Sequence, residues 1–392
     1  MTRGAFAGVR ERFAQAGRPL SGHQSLSITL AMVAVGIALP LLAILPPFSG
    51  FGTQKDWISG YADAGVFVLL AIGLNVVVGL AGLLDLGYAA FFAIGAYTMA
   101  YGASGYSGLD TPFWVMLIIG AFVAAIFGLL LGAPTLRLRG DYLAIVTLGF
   151  GEIVPIVFLN AETYTNGTNG ITGIAQPSWY GVLGINGFGF TNPWPYYVTV
   201  LVIITIATMF VYRLQDSRLG RTWVALREDE LAAASMGINT VSTKLLAFAI
   251  GASTSGLAGV FYAAKLSSVT PDQFGFTVSF TVLAMVVLGG MGNTWGVMLG
   301  AFIIYELQSQ GLHQLDAFAK SLNLPSVSLG PVTIDVSSIN FINFQGLLYG
   351  LALVLMMLLR PEGLFPSRRR RQELHEAAAE IEATATEAVS EA

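Results

Sequence analysis

Apolar positions in this chain come in long uninterrupted blocks, separated by short polar or glycine-rich punctuation, with almost no strand-like alternation. The blocks run from about Leu26 to Pro46 and then near Tyr61–Leu84, Leu86–Tyr101, Phe113–Ala133, Tyr142–Leu159, Trp194–Tyr212, Lys244–Ala264, Thr277–Leu288, Asn293–Glu306 and Phe344–Leu359. A helix rises 1.5 Å per residue, so about 20 apolar residues cross the ~30 Å hydrocarbon layer. The pattern therefore predicts an all-α polytopic membrane protein of about ten transmembrane helices. Residues 1–25 form a cytoplasmic N-terminal segment, 26–366 the membrane domain and 367–392 a basic, then acidic, cytoplasmic tail. The first block follows Arg3, Arg10, Arg12 and Arg18 like the h-region of a secretory signal. Its length and the lack of a small-residue cleavage site favour an uncleaved first span.

Three connections are long enough to matter. Residues 160–193 carry TNGTNGITG, Gln176-Pro177 and Asn192-Pro193, a turn-rich composition that suits a surface or covering segment. Residues 312–343 mix polar residues with short apolar pieces. Both are expected outside, where they either meet a soluble partner or cap the bundle. Residues 213–244 contain GRTWVALREDELAAASMGIN, a helix-compatible stretch too polar to span, with Trp223, Leu226, Leu231 and three alanines on its less polar positions and Gly237 and Asn239 as its stop. Its charges, Arg221, Arg227, Glu228, Asp229 and Glu230, suit a solvated connector. The small residues Ala232, Ala233 and Ala234 before Gly237 suit a helix on which another surface docks.

Composition agrees with the pattern and removes other classes. Hydrophobic residues make up 55% and charged residues 11% of 392, with a mean hydropathy of +0.70. The absence of cysteine excludes disulfides and thiol chemistry, and His23, His313 and His375 lie too far apart for a local metal motif. No phosphate-binding G-x-x-x-x-G-K-[ST] loop occurs, so any ATP must be bound by another chain. No cofactor and no nucleic-acid partner is expected. The net charge of −4 is set by six glutamates within the last twenty residues.

The basic residues orient the bundle. With the N-terminus inside, Lys and Arg number four before the first span, two at Arg137 and Arg139, five in 213–244 and five after the last span, leaving only Lys55, Lys265 and Lys320 outside. That asymmetry is the positive-inside pattern of an even-spanning protein with both termini in the cytoplasm.

Two glycine-rich junctions fall at expected cytoplasmic ends of paired spans: Gly79 to Gly87, including Gly82 and Asp85, and Gly289 to Gly296, including Asn293. Their matching positions leave room for a parallel internal duplication. Gly292, Gly296 and Gly300 share a four-residue spacing that lets a neighbouring helix approach. Asn75, Gly82 and Asn293 are alternatively candidates for broken-helix backbone along a transport route. Among ionisable residues, Asp63, Asp85 and Glu306 fall near span ends where water is expected to reach them. Glu152 sits within a span, where a lipid-facing charge costs about 2.5 kcal/mol or more. It is expected to face other helices or water, either hydrogen-bonded to a neighbouring helix or in contact with substrate.

The run LRLRGDYLAIVTLGFGEI (136–153), the following NGITGI, and the stretches GLNVVVGLAGLLDLGYAAFFAIGAYTMA, VLGGMGNTWGVMLGAFI and RPEGLFP resemble the M-type permease subunit of bacterial branched-chain amino acid ABC importers. The resemblance spans roughly Tyr61 to Pro366 and implies a non-enzymatic transport subunit of the bacterial cytoplasmic (inner) membrane. Its implied partners are a second homologous permease, two cytoplasmic ATPase subunits, a periplasmic substrate-binding protein and membrane lipid. Leu231-Ala232-Ala233 and Gly237 occupy the place of the E-A-A-x-x-x-G loop by which ABC permeases engage their ATPases, although the family glutamate is replaced by Leu231 and Glu230 stands one position off. The implied coupling residues are Arg221, Arg227, Asp229, Glu230, Leu231, Ala232, Ala233 and Gly237. Asn75, Gly82, Gly151, Glu152, Gly289 and Asn293 are the substrate-route candidates. Two other functions fit the same residues: an ABC permease for urea or short amides, and a stand-alone secondary transporter with Glu152 as its coupling site.

Overall fold

The computed structural model describes residues 34–40, 54–135, 141–179, 188, 192–311, 327–329, 332–334, 345–359 and 363–365. Most of the first expected span, the Arg137–Arg139 loop, most of 312–343 and both terminal segments lie outside the described residues. Apart from the helical residues 34–40 and a single turn at Glu162–Thr165, the described α-helices in chain order are α1 Gln54–Leu74, α2 Ala89–Gly102, α3 Phe113–Thr135, α4 Asp141–Asn160, α5 Trp194–Asp216, α6 Arg218–Glu228, α7 Glu230–Ser235, α8 Thr240–Leu266, α9 Phe276–Gly289, α10 Thr294–Glu306 and α11 Gln345–Leu359. Six of the described segments are long and apolar enough to cross a membrane: Lys55–Leu80, Phe113–Pro134, Tyr142–Asn160, Trp194–Asp216, Thr240–Leu266 and Pro271–Gly289. The chain is a multi-pass membrane protein.

The apolar blocks are helical because every backbone donor and acceptor must be satisfied internally where water is absent. Helix–helix cohesion in such a solvent comes from close packing rather than from apolar burial. The α8 sequence supplies it with Gly251, Ala252, Gly256, Ala258, Gly259 and Ala263, all buried, and α8 packs against α1, α2 and α3. With its neighbour α1, 89% buried across its span, it forms the centre of the bundle. Around them α1 also meets α5 and α10, and α9 lies against α10 and α11.

Among the described residues strand structure is confined to two short antiparallel ladders. Strand β1 (Ile171–Thr172) pairs with β2 (Ser268–Val269) in the register Ile171↔Val269, and Ser104 bridges to Ile174. The Asn-Gly-rich run of the 160–193 segment is thereby tied to the turns after α2 and α8. The Tyr106 hydroxyl donates to the Thr163 carbonyl at 2.9 Å, so one end of the bundle is closed by this covering segment. Strand β3 (Val327–Leu329) pairs with β4 (Val332–Ile334) as a hairpin within the 312–343 segment.

Two spans differ from the continuous helices expected. After Leu74 the helix widens to a π-helical stretch at Asn75–Leu80, with Ala81 N donating to Val76 O at 3.1 Å. Residues 81–88 are not helical, and α2 begins only at Ala89. The first glycine-rich junction is therefore not a turn at the membrane surface. Leu86 N donates to Thr147 Oγ1 at 3.1 Å and Gly87 abuts the Thr147 backbone, so the chain runs back along the inner face of α4 before the helix resumes.

Candidate coupling site and transport route

The polar connector is two helices, not one. Ser217 caps α6, its hydroxyl accepting from Gly220 N at 3.4 Å, and Asp229 breaks the helix and caps α7, accepting from Leu231 N at 2.8 Å and Ala232 N at 3.0 Å. Aspartate at an N-cap supplies the acceptor that the first-turn N–H groups lack. Gly237 then ends α7 at φ +83°, and Asn239 caps α8 through Ser242 N at 3.1 Å. The inward face consists of Trp223, Leu226 and Ala233, all buried, and Trp223 Nε1 donates to Thr243 O at 2.8 Å. Ala233 packs against this chain itself, so the small face expected to receive a partner is already occupied there. Exposed on the outer side are Ala232, Leu231 at 65% and Met236 at 84%.

The charges of this connector also point back into the chain. Glu230 pairs with Lys244 at 2.6 Å, the lysine side chain being only 6% exposed. Arg221 Nη1 donates to Asp216 O at 3.0 Å. Arg227 reaches furthest: its Nη1 donates to Gly79 O, in the π-helical stretch, at 2.6 Å. Its aliphatic stem lies against Gly82, where an added Cβ would stand 2.7 Å from Arg227 Cγ and where φ is +71°. Both conditions call for glycine.

From Gly79 the contacts continue into the second junction. Asn75, fully buried, accepts from Gly292 N at 2.9 Å through Oδ1, and its amide nitrogen has no partner among the described residues. Asn293 Nδ2 donates to Phe365 O at 2.9 Å. Gly289 lies against Gly296 and Gly300 of α10, with the Gly300 Cβ position 2.6 Å from Gly289 Cα, which is the close packing the spacing predicts. Gly292 belongs to the turn before α10 at φ +82°, not to that helical face. Gly79 and Gly82 of the first glycine-rich junction, the second junction, the connector and residues 363–365 thus gather at one end of the bundle, opposite the β1–β2 ladder.

Halfway along α4, Gly151, Gly87 and Asp85 come together on its inner side, and Glu152 lies on its outer side. Gly151 faces Gly87, and a Cβ on Gly151 would stand 2.8 Å from Gly87 Cα, so only glycine permits the returning chain to lie there. Asp85, 1% exposed, accepts from Gly87 N at 2.9 Å while Oδ2 has no partner among the described residues. Burial replaces the water contact expected for Asp85, because residues 81–88 fold back into the bundle. A small cavity of about 10 Å³ beside it is lined by Asp85, Thr147, Phe150 and Phe248, room for about one water. Glu152 is exposed on the outer side of α4, and its Oε1 accepts from Phe276 N at 3.1 Å. It stands at the N-terminus of α9, where the helix dipole favours negative charge. Ser279 Oγ accepts from Ala89 N at 2.9 Å, so α2 and α9 begin side by side here.

At the opposite end, Lys265 donates to Asp63 Oδ1 at 2.5 Å and to Ser59 O at 2.9 Å. The sequence reading missed this pair, and two opposite charges near the same ends of otherwise apolar spans were the available signal. Both Glu306 carboxylate oxygens are buried without a partner among the described residues, in contrast to the water access expected. Arg227–Gly79 was also missed, since a backbone acceptor in a helix break leaves no sequence signature.

Broken helices whose ends meet inside an apolar bundle, tied by hydrogen bonds to a polar connector, place this molecule among multi-pass transport proteins. The chain belongs to the branched-chain amino acid transport system / permease component family, whose profile matches residues 57–359. It is 39% identical over 363 residues to the high-affinity branched-chain amino acid transport system permease protein LivM of Escherichia coli (strain K12), covering 88% of this chain and 78% of that one. It is 26% identical to the probable branched-chain amino acid transport permease protein LivM of Methanocaldococcus jannaschii, covering 91% and 88%. It is 28% identical over 260 residues to the high-affinity branched-chain amino acid transport system permease protein LivH of Escherichia coli (strain K12), covering 64% of this chain and 83% of that one. No solved structure matches the chain.

Proposed function

We propose that this chain is the transmembrane permease subunit of an ATP-binding-cassette importer for the branched-chain amino acids leucine, isoleucine and valine. With a second, homologous permease it forms the route, two cytoplasmic ATPase subunits drive it, and a periplasmic binding protein delivers the substrate. The chain makes about ten crossings of the bacterial inner membrane, with both termini and residues 213–244 in the cytoplasm. It performs no bond chemistry. The family membership and the transport systems to which the similar permeases belong support the substrate class.

The observation that carries the coupling role is a line of contacts: Arg227 donates to the Gly79 carbonyl, Gly79 packs against the Asn75 side chain, and Asn75 accepts from Gly292 N. The exposed side of α7, with Leu231 and Met236, receives the ATPase. Movement of the connector then pulls through Arg227 on the π-helical stretch, whose widened hydrogen bonding marks a weak point in an otherwise rigid span. Asn75 passes that displacement to the α9–α10 junction. ATP binding and hydrolysis thereby bias the permease pair between outward-facing and inward-facing states.

Reconstitution of the chain with its companion subunits in vesicles tests this reading. ATP-dependent uptake of leucine, isoleucine and valine is expected, with none of urea in parallel. Uptake of urea instead would assign the short-amide function. Uptake of leucine without ATPase subunits would assign a stand-alone transporter.

A further inference from the structure

Of the six long apolar segments, two that follow one another in the chain are the least covered. The α3 span is 28% buried and the α4 span 22%, against 89% for α1. Their uncovered faces differ in chemistry. On α3 the exposed side chains include Val115, Ile118, Phe122, Ile126 and Leu130, all of which acyl chains solvate well. On α4 the exposed positions Tyr142, Ile145, Gly149, Glu152, Ile156 and Asn160 recur at intervals of three and four, which places them on one side of the helix, with the exposed Ile153 and Val157 flanking Glu152 and Ile156. Glu152 stands at the middle of that side, with Phe276 N as its partner and no basic side chain paired with it among the described residues. Hydrocarbon is a poor neighbour for this carboxylate. One helical turn earlier, Gly149 has no atom within 4 Å of where a Cβ would stand, so another backbone can come close there.

We propose that the Ile145–Gly149–Glu152–Ile156 face of α4 is the surface on which the homologous second permease packs, with Glu152 at the seam between the two chains and α3 turned to lipid. The inference rests on the function above only for the existence of that second permease. Depth selects the occupant: the face lies along the middle of a span, out of reach of a cytoplasmic ATPase or an external binding protein. Relatedness supports it, since LivM and LivH of one Escherichia coli transport system both align with this chain. Glu152 thus has two roles on two sides, holding the start of α9 in its own chain and presenting a polar edge to the neighbouring one.

The test uses the full complex in native membranes, with a photo-crosslinking residue, benzoylphenylalanine, placed singly at Ile145 or Ile156 of α4 and at Ile118 or Phe122 of α3. Adducts to the second permease from α4, and to lipid from α3, are expected. Capture of lipid alone, or of another copy of this chain, from both α4 positions would overturn the proposal. Gly149→Trp adds an independent reading because the space above Gly149 is open within the chain itself. Recovery of the second permease with the tagged chain should fall at least tenfold with Gly149→Trp and stay unchanged with Ile118→Trp. Equal recovery in both would count against the surface. Absence of any second permease from the unsubstituted complex overturns the functional reading as well, whereas its presence with crosslinks from α3 alone overturns only this surface.

Discussion

Arg227 and Glu152 show how a charged side chain is put to use where free charge is costly. Arg227 spends its guanidinium on the Gly79 carbonyl at 2.6 Å, a charge-assisted contact of the kind that contributes about 1.5–3 kcal/mol. Arg227→Met keeps the stem against Gly82 and removes the donors. Amino acid uptake per ATP hydrolysed is expected to fall roughly ten- to a hundredfold while the ATPases stay bound, as measured by parallel uptake and phosphate-release assays. Unchanged stoichiometry would remove Arg227 from the coupling path. Glu152 accepts from a first-turn N–H of α9, and glutamine retains an acceptor for it. Glu152→Gln is therefore expected to leave the melting temperature of the purified complex nearly unchanged and uptake within about threefold, since the lost charge–dipole term amounts to about 0.3–1 kcal/mol. Glu152→Ala leaves that N–H unpaired at a cost of about 1–3 kcal/mol and should lower the melting temperature. A Glu152→Gln complex that hydrolyses ATP yet moves no amino acid would make Glu152 a transport residue.

At the scale of elements, α1, α2, α4 and α9 are read most usefully as one unit. The returning chain at 81–88 lies on α4 because Gly87 and Gly151 meet without side chains, and α2 and α9 start where that contact ends. Gly151→Val places a branched side chain where Gly87 Cα already stands, an overpacking of about 1–3 kcal/mol. Gly82→Ala adds a left-handed backbone cost of about 1–2 kcal/mol to a contact with Arg227. Both are expected to lower thermal stability of the detergent-purified protein, whereas Gly105→Ala, with nothing within 4 Å of its Cβ position, should not. If Gly151→Val melts like the parent, the return path along α4 is misplaced. The connector was legible as a helix with a Gly237 stop. Its division at Asp229 was not, because an aspartate in a charged run looks the same whether it caps a helix or lies on its surface.

For the whole molecule, the basic residues and the tertiary contacts agree on two unlike ends. The end that joins both glycine-rich junctions carries Arg218, Arg221 and Arg227, and the end closed by the β1–β2 ladder carries Lys265. The chain has no cysteine, so single substitutions report on each end without background. Ser217→Cys and Ser390→Cys should resist a membrane-impermeant maleimide in intact cells, and Thr168→Cys should react. The reverse result would invert the topology.

By itself the sequence determined the membrane class, the places of the apolar segments, the basic asymmetry and the resemblance to a permease family. These follow from hydropathy, charge and motif, which are properties of the chain read along one dimension. Only the tertiary structure decided that the span after Gly73 widens at Asn75 and stays unwound to Tyr88, that Ala233 faces inward while Leu231 and Met236 face out, and that Arg227 reaches a carbonyl 148 positions earlier. A helix break is stable in an apolar medium only when partners from other segments satisfy its backbone. Here those partners, Arg227 and Thr147, come from a distant connector and a neighbouring span, and no local pattern brings them to the break.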